Sequence, residues 1–271
     1  MTMTPKNKNQ RPLPPHVSIQ PIPSLLRRVL ERYHTEKTLD QQALSWICHD
    51  PCMSSHVLRA VNSTFNGFPR QLTSVHQSLK LLGPQLLQRL LADVEDKSSH
   101  AAETSLPHLS EPWRCALKTA VFAEQLASCL EKTTGLIAPE EAFSAGLLHN
   151  IGDFAKQGHF PVLSSDDIDS LDATPELLGM QLAQQWNFSQ AMQAVMMHHK
   201  SPHLADESQD LVMVVAIAKR FIQDMTLSPS MFEWLHGHIG LEEDDFYTWR
   251  ERFIAEAEER YDSRLRWVSS L

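Results

Sequence analysis

From Ile22 onward, apolar residues fall at helical spacing almost without interruption, and that regularity excludes most folds. Leu25, Leu26, Val29, Leu30 and Tyr33 mark one helix face, and Leu39, Ala43, Leu44 and Ile47 repeat it. Asp50-Pro51 places a capping carboxylate before a residue suited to the first helical turn. It launches a third helix with Met53, Val57, Leu58 and Val61 inside. Asn62-Ser63 and Asn66-Gly67-Phe68-Pro69 read as a turn-rich loop, with Asn62 satisfying carbonyls where the helix ends. Thr73-Ser74 starts another helix whose apolar face runs from Leu79 to Leu82, and Gly83-Pro84 closes it and opens the next.

Residues 95–111 are polar and read as a linker. Helical patterns resume at 112–131, 138–150, 174–187, 189–199, 207–226 and 242–262. Alternating, β-branched strand patterns are hardly present, and no repeat is visible. The expected class is all-α.

Composition narrows the function. Net charge is −9, and the basic pairs Arg27-Arg28 and Lys219-Arg220 sit within helical patterns as solvated edges, so nucleic-acid binding is disfavoured. Four cysteines in 271 residues make no disulfide framework, and no secretory h-region is seen. The longest apolar run considered, Leu211 to Ile217, is far short of the ~20 residues a membrane helix needs. A reducing, cytoplasmic setting without a membrane partner is expected. Residues 1–19, with Pro5, Pro12, Pro14 and Pro15 among Lys, Asn and Gln, are expected to form a disordered tail.

Four ordered segments carry a family resemblance. Asp50-Pro51, Leu58-Arg59 and Asn62-Ser63 form the first, and Ser74 to Gly83 the second. Phe143 to Gly152, with Gly146, His149 and Asn150, is the third, and Trp186-Asn-Phe followed by His198-His199 the fourth. Together they resemble the HDOD domains, relatives of the HD phosphohydrolases found in bacterial signalling proteins and generally thought to lack hydrolase activity. The resemblance implies a multi-helix fold with an N-terminal helical lobe and an HD-like lobe. The domain is expected at 20–225, followed by a C-terminal helical extension at 226–271.

The same resemblance implies where metal ligands would lie in an active HD enzyme. The first histidine position falls on Cys115, the His-Asp doublet on His149-Asn150, and the distal aspartate near Lys219. A carboxylate brings a negative charge to a divalent cation, a carboxamide only a neutral oxygen, and an ammonium repels the ion. With three of four ligands altered, no metal and no cofactor are expected, and no catalytic residue is assigned. Asp153, one turn beyond His149, could hydrogen-bond its ring. His198 and His199 point about 100° apart, so at most one faces a common site. Cys115, His149, Asn150, Asp153, His198, His199 and Lys219 therefore form the expected degenerate pocket.

Other clusters are weaker. Cys48, His49, Cys52 and His56 are interrupted by Pro51 and lack a second pair at zinc-site spacing. His236 and His238 form a lone His-x-His, usual at a surface or cap. From Leu241 to Val268, an acidic start precedes Phe246, Trp249, Phe253, Ala257 and Tyr261 at helix spacing. That stripe is expected to bury on its own core, the alternative being a homodimer or partner face. The favoured function is a non-catalytic signalling module contacting an unidentified protein partner or a small ligand. The competing one is a divergent metal-dependent phosphohydrolase of a nucleotide, using His149 with His198 or His199 and a nearby acid.

Overall fold

The computed structural model describes residues 23–36, 41–64, 71–82, 86–92, 110–156 and 173–269. Every regular element among them is a helix. In chain order these are α1 (Pro23–Glu36), α2 (Gln41–His49), α3 (Pro51–Thr64), α4 (Val75–Leu81), α5 (Glu111–Glu131), α6 (Pro139–Leu148) and α7 (Ile151–Lys156). They continue with α8 (Pro175–Gln185), α9 (Gln190–His198), α10 (Gln209–Ile222), α11 (Pro229–Ile239) and α12 (Glu243–Ser269). A short helical segment at 86–92 follows α4. The all-α expectation holds. None of the described helices is long and apolar enough to cross a membrane. The proline-rich segment 1–19, the Asn66–Pro69 turn, Gly83-Pro84 and nearly all of the polar stretch at 95–111 lie outside the described residues.

Small side chains set the centre. Ala116, Ala120, Ala123 and Ala127 of α5 are fully buried, as are Ala142 and Ala145 of α6. Gly146 of α6 lies so close to α5 that a Cβ there would come within 2.7 Å of Ala120 Cα. This contact fixes α6, and with it the histidine that follows. α10 also packs on α5, while α8 and α9 form a pair against α7 and α10 respectively.

Asp50 does cap α3, its Oδ1 accepting from Met53 N at 2.7 Å. Asn62 behaves differently from expectation. It lies inside α3, which runs on to Thr64, and its amide clasps the backbone of Leu72, ten residues later. Its Oδ1 accepts from Leu72 N at 2.9 Å and its Nδ2 donates to Leu72 O at 3.1 Å. Asn187 Nδ2 donates to Asn62 O, Gln71 Nε2 donates to Asn187 Oδ1, and Thr73 pairs with Ser189. These bonds tie the N-terminal helices to the α8–α9 turn. Asn62→Ala strips both bonds from the half-buried Leu72 peptide, so it is expected to cost about 2 kcal/mol, or about 6 °C in Tm. Exposed Ser63→Ala is expected to shift Tm by less than about 1 °C, and thermal melts compare the two.

Beyond residue 226 two helices form, where only the second was expected from periodicity. Ser228 caps α11 through Met231 N, and Gly240 ends it in the left-handed conformation, φ +65°. His236 and His238 each direct Nδ1 to a backbone carbonyl, Leu241 O and Trp234 O, as capping histidines. On α12, Phe246, Phe253, Ala257 and Tyr261 are buried. Gln125 Nε2 donates to Phe253 O, Lys118 pairs with Glu258 at 2.6 Å, and Arg264 pairs with Glu124 at 2.6 Å while lying over Phe143. The aromatic stripe is buried on its own chain.

Candidate functional site

The periodicity at 138–150 predicts one helix, but the chain breaks it after Leu148. His149 is the C-cap of α6, and Asn150 precedes α7. Nδ1 of His149 lies 2.7 Å from Gly146 O. A carbonyl only accepts, so Nδ1 carries the proton and Nε2 keeps its lone pair. The expected bond from Asp153 to this ring is not made. The Gly146 carbonyl, three residues back along the helix, takes the ring's only N–H, and Nε2 has no partner among the described residues.

His199, the C-cap of α9, repeats the arrangement. Its Nδ1 donates to Val195 O at 3.1 Å, leaving Nε2 unpartnered. The two rings meet edge to face with centroids 4.9 Å apart. Of the His198-His199 pair, His199 is the one that joins His149. Asn150 donates Nδ2 to Pro112 O at 2.8 Å, tying the α6–α7 junction to the start of α5, and its Oδ1 is unpartnered.

Around these lie the charged and soft groups. Burial pushes the His199 imidazole down to about 3, with the Lys219 ammonium adding to the effect. His149 is driven down by burial and by Lys219 and His199. Burial raises the Cys115 thiol against the pull of Lys219, and its Sγ lies 4.0 Å from Thr119 Oγ1. Burial lowers the Lys219 ammonium, while Cys115, Asp153 and Glu176 favour its charge. Asp153 is raised by burial, opposed by Lys219 and Lys200. The structure thus brings Cys115, His149, Asp153, His199 and Lys219 into one electrostatic neighbourhood.

Two members were missed from sequence. Glu176 opens α8 and forms an ion pair with Lys200. Burial would raise Glu176, but hydrogen bonds from Lys200, its own backbone N–H and Thr174 hold it at about 2. The available signals were the Thr174-Pro175 cap before Glu176 and the position of Lys200 directly after His199.

A divalent metal does not fit this donor set. Two neutral imidazole nitrogens are offered beside a protonated thiol, a carboxamide and an ammonium, and the nearby carboxylates already answer ammonium groups, Glu176 paired with Lys200 and Asp153 acted on by Lys219. Among the described residues no group of three or more His, Cys, Asp or Glu side chains is placed to hold an ion. The Cys48–His56 region fares no better. Burial and the Glu140 carboxylate push the Cys48 thiol up to about 12, and His49 Nδ1 is taken by Ser45 O.

Comparison with known proteins gives this geometry a family. An uncharacterized protein of Treponema pallidum (strain Nichols) is 27% identical over 227 residues, 76% of this chain. That alignment spans 43% of the relative, so the chain matches less than half of its length. The MmoQ response regulator of Methylococcus capsulatus shares the fold with TM-score 0.61 at 18% identity, over 89% of this chain and 99% of that one. A virulence factor of Campylobacter jejuni superposes with TM-score 0.54 at 19% identity, over 85% and 88% of the two chains. The family model of the HDOD domain matches residues 19–202. The chain belongs to the HDOD family, the degenerate relatives of the HD phosphohydrolases.

Proposed function

We propose that this chain is a non-catalytic signal-transduction module whose HD-type pocket has become a recess for ligand or partner control. One observation carries the reading: the buried His149 is followed by a carboxamide, Asn150, tied to Pro112 O, and the Lys219 ammonium bears on the His149 and His199 rings, a setting poor in anionic donors. An HD hydrolase needs its ion to lower the pKa of water and to clamp phosphate. Output then comes through a protein contact or a shift in helix packing, with a separate partner or a second copy of the chain as the receiver.

The competing reading, a divergent metal-dependent phosphohydrolase of nucleotides, draws on the two free Nε2 lone pairs, the tautomer in which histidine ligates metals. Metal analysis of the purified full chain, run beside a phosphodiesterase assay in added Mn²⁺, separates the two. Substoichiometric metal and no turnover are expected. Bound stoichiometric metal, or turnover abolished by His149→Ala, would establish the hydrolase instead. The triple substitution Cys115→His, Asn150→Asp and Lys219→Asp is expected to create Mn²⁺ binding, gaining at least about 100-fold in affinity, read by titration calorimetry. No gain would break the correspondence between these residues and the metal ligands.

A further inference from the structure

The last two helices lie beyond the family match at residues 19–202, and with the loop after α10 they enclose a cavity of about 330 Å³. Sites for small ligands occupy about 300–1,000 Å³. Its walls follow from helical spacing. Glu243, Phe246, Tyr247 and Arg250 recur at three- and four-residue steps along one face of α12. Pro229, Phe232 and Glu233 do the same on α11. Phe232 meets Phe246 edge to face with centroids 5.3 Å apart, and Tyr247 meets Phe246 at 5.7 Å. Tyr247 is 68% exposed, so the fold gives this ring little cover.

Charge decides what fits between the rings. Arg250 is already engaged: it pairs with Asp224 at 2.7 Å and lies over Phe221 of α10, 5.6 Å from the ring centroid. Glu233 and Glu243 form no ion pair or hydrogen bond among the described residues, so two carboxylates at the cavity stay unanswered. The starts of the two helices offer little to an anion in their place. Pro229 has no N–H, Ser228 Oγ accepts from Met231 N, and Asp245 N donates to Glu242 O. An anion therefore meets two like charges, and a neutral apolar molecule leaves both carboxylates unused. A cation with an apolar body is attracted by the ring faces and the carboxylates together.

We propose that this cavity binds a small organic cation, a quaternary or protonated amine whose charge lies against Glu233 and Glu243 and whose carbon body packs on Phe232, Phe246 and Tyr247. The site goes beyond the reading of the His149 pocket and does not depend on it. Arg250 joins it to the rest of the fold, since the guanidinium that lines the cavity also rests on Phe221 of α10.

Titration calorimetry of the full chain at about 0.15 M salt, where charges more than about 8 Å apart are screened, tests it with choline, benzylamine and the uncharged isostere of choline. In that isostere a tert-butyl group replaces the trimethylammonium, so shape is kept and charge is lost. Saturable binding of choline or benzylamine is expected, at least about tenfold tighter than the isostere. Choline binding alone assigns a quaternary amine, benzylamine binding alone a protonated one, and both support the site. Glu233→Gln combined with Glu243→Gln is expected to weaken binding at least about tenfold, and Tyr247→Ala about three- to fivefold. All three side chains are exposed, so these changes spare the core. Asp244→Asn removes the same charge one residue round α12, off the face that lines the cavity, and is expected to change binding less than about twofold. No saturable binding of either amine up to about 10 mM, or the isostere binding as tightly, overturns the proposal. An equal loss from Asp244→Asn overturns it too, because binding then reflects general attraction to an acidic surface.

Discussion

Acidification from pH 7 to pH 5 is expected to cost this protein about 3–4 kcal/mol of folding stability through His49 and His199, with His149 adding to the loss, a large part of the roughly 5–15 kcal/mol that a domain possesses. The cause is three imidazoles folded in their neutral form. Burial holds His49 at about 4 and His199 at about 3, and drives His149 well below its ordinary value. All three are less than a tenth exposed. An unfolded chain binds a proton at each histidine once the pH falls below about 6.5, whereas the folded chain does not. The stabilisation is therefore complete above about pH 6.5 and is lost on the way down toward the folded values, each histidine contributing about 1.4 kcal/mol per pH unit within that window.

His76 is also lowered, by burial, and adds to the same slope, whereas the other shifted groups act mainly outside that window. Glu176, held at about 2, adds acid sensitivity of the same sign only below its ordinary 4.5. Asp153 is raised by burial and so opposes the trend, in the range just above its ordinary 3.8. Urea unfolding midpoints measured from pH 7 to pH 5 read the slope directly. His199→Gln should remove one proton from it, flattening the curve by about 1.4 kcal/mol per pH unit. A midpoint that stays level across the range would mean that these rings are already charged or hydrated in the folded chain.

The sequence carried the local features of this fold well and the long-range ones poorly, for a physical reason. The Asp50 cap needs only a carboxylate three residues before a free N–H, and the α12 stripe needs only spacing, so both can be read along the chain. Asn62 is different. Its partners are Leu72 and, 125 residues away, Asn187, a pairing that no periodicity encodes. α11 carried its signals openly, a Ser228-Pro229 start and a Gly240 stop, but its apolar residues do not repeat with a periodicity strong enough to mark it.

In the site, the rings of His149 and His199, both members of the expected pocket, meet edge to face, but the hydrogen bonding differs from expectation. Asp153 is one turn from His149, yet a helix end already offers a carbonyl to the ring, and of the charges acting on the carboxyl those of Lys219 and Lys200 count most. Lys200 and Glu176 meet only because α8 and α9 pack as a pair, which spacing along the chain does not reveal.

Gly152→Ala is expected to destabilise the protein by more than about 3 kcal/mol, lowering Tm by about 10 °C. Gly152 lies in the first turn of α7, where the backbone of α8 passes directly over it. A Cβ at this position would overlap Pro175 O, approach its carbonyl carbon to 2.7 Å and come within 2.9 Å of Gly179 N. All three are backbone atoms, so no rotamer change relieves the clash and α8 itself must shift. Gly237→Ala makes the contrast. Its added methyl meets nothing within 4 Å in the last turn of α11, so the gain in helix propensity is expected to raise stability by up to about 0.5–1 kcal/mol. Displacing α8 also moves Glu176, and with it the Lys200 pair beside the His149–His199 recess. Melting of the same two variants separates the outcomes. If Gly152→Ala melts with the unaltered chain, the close seat of α8 on α7 is wrong, and so is the placement of Glu176 at the recess that depends on it.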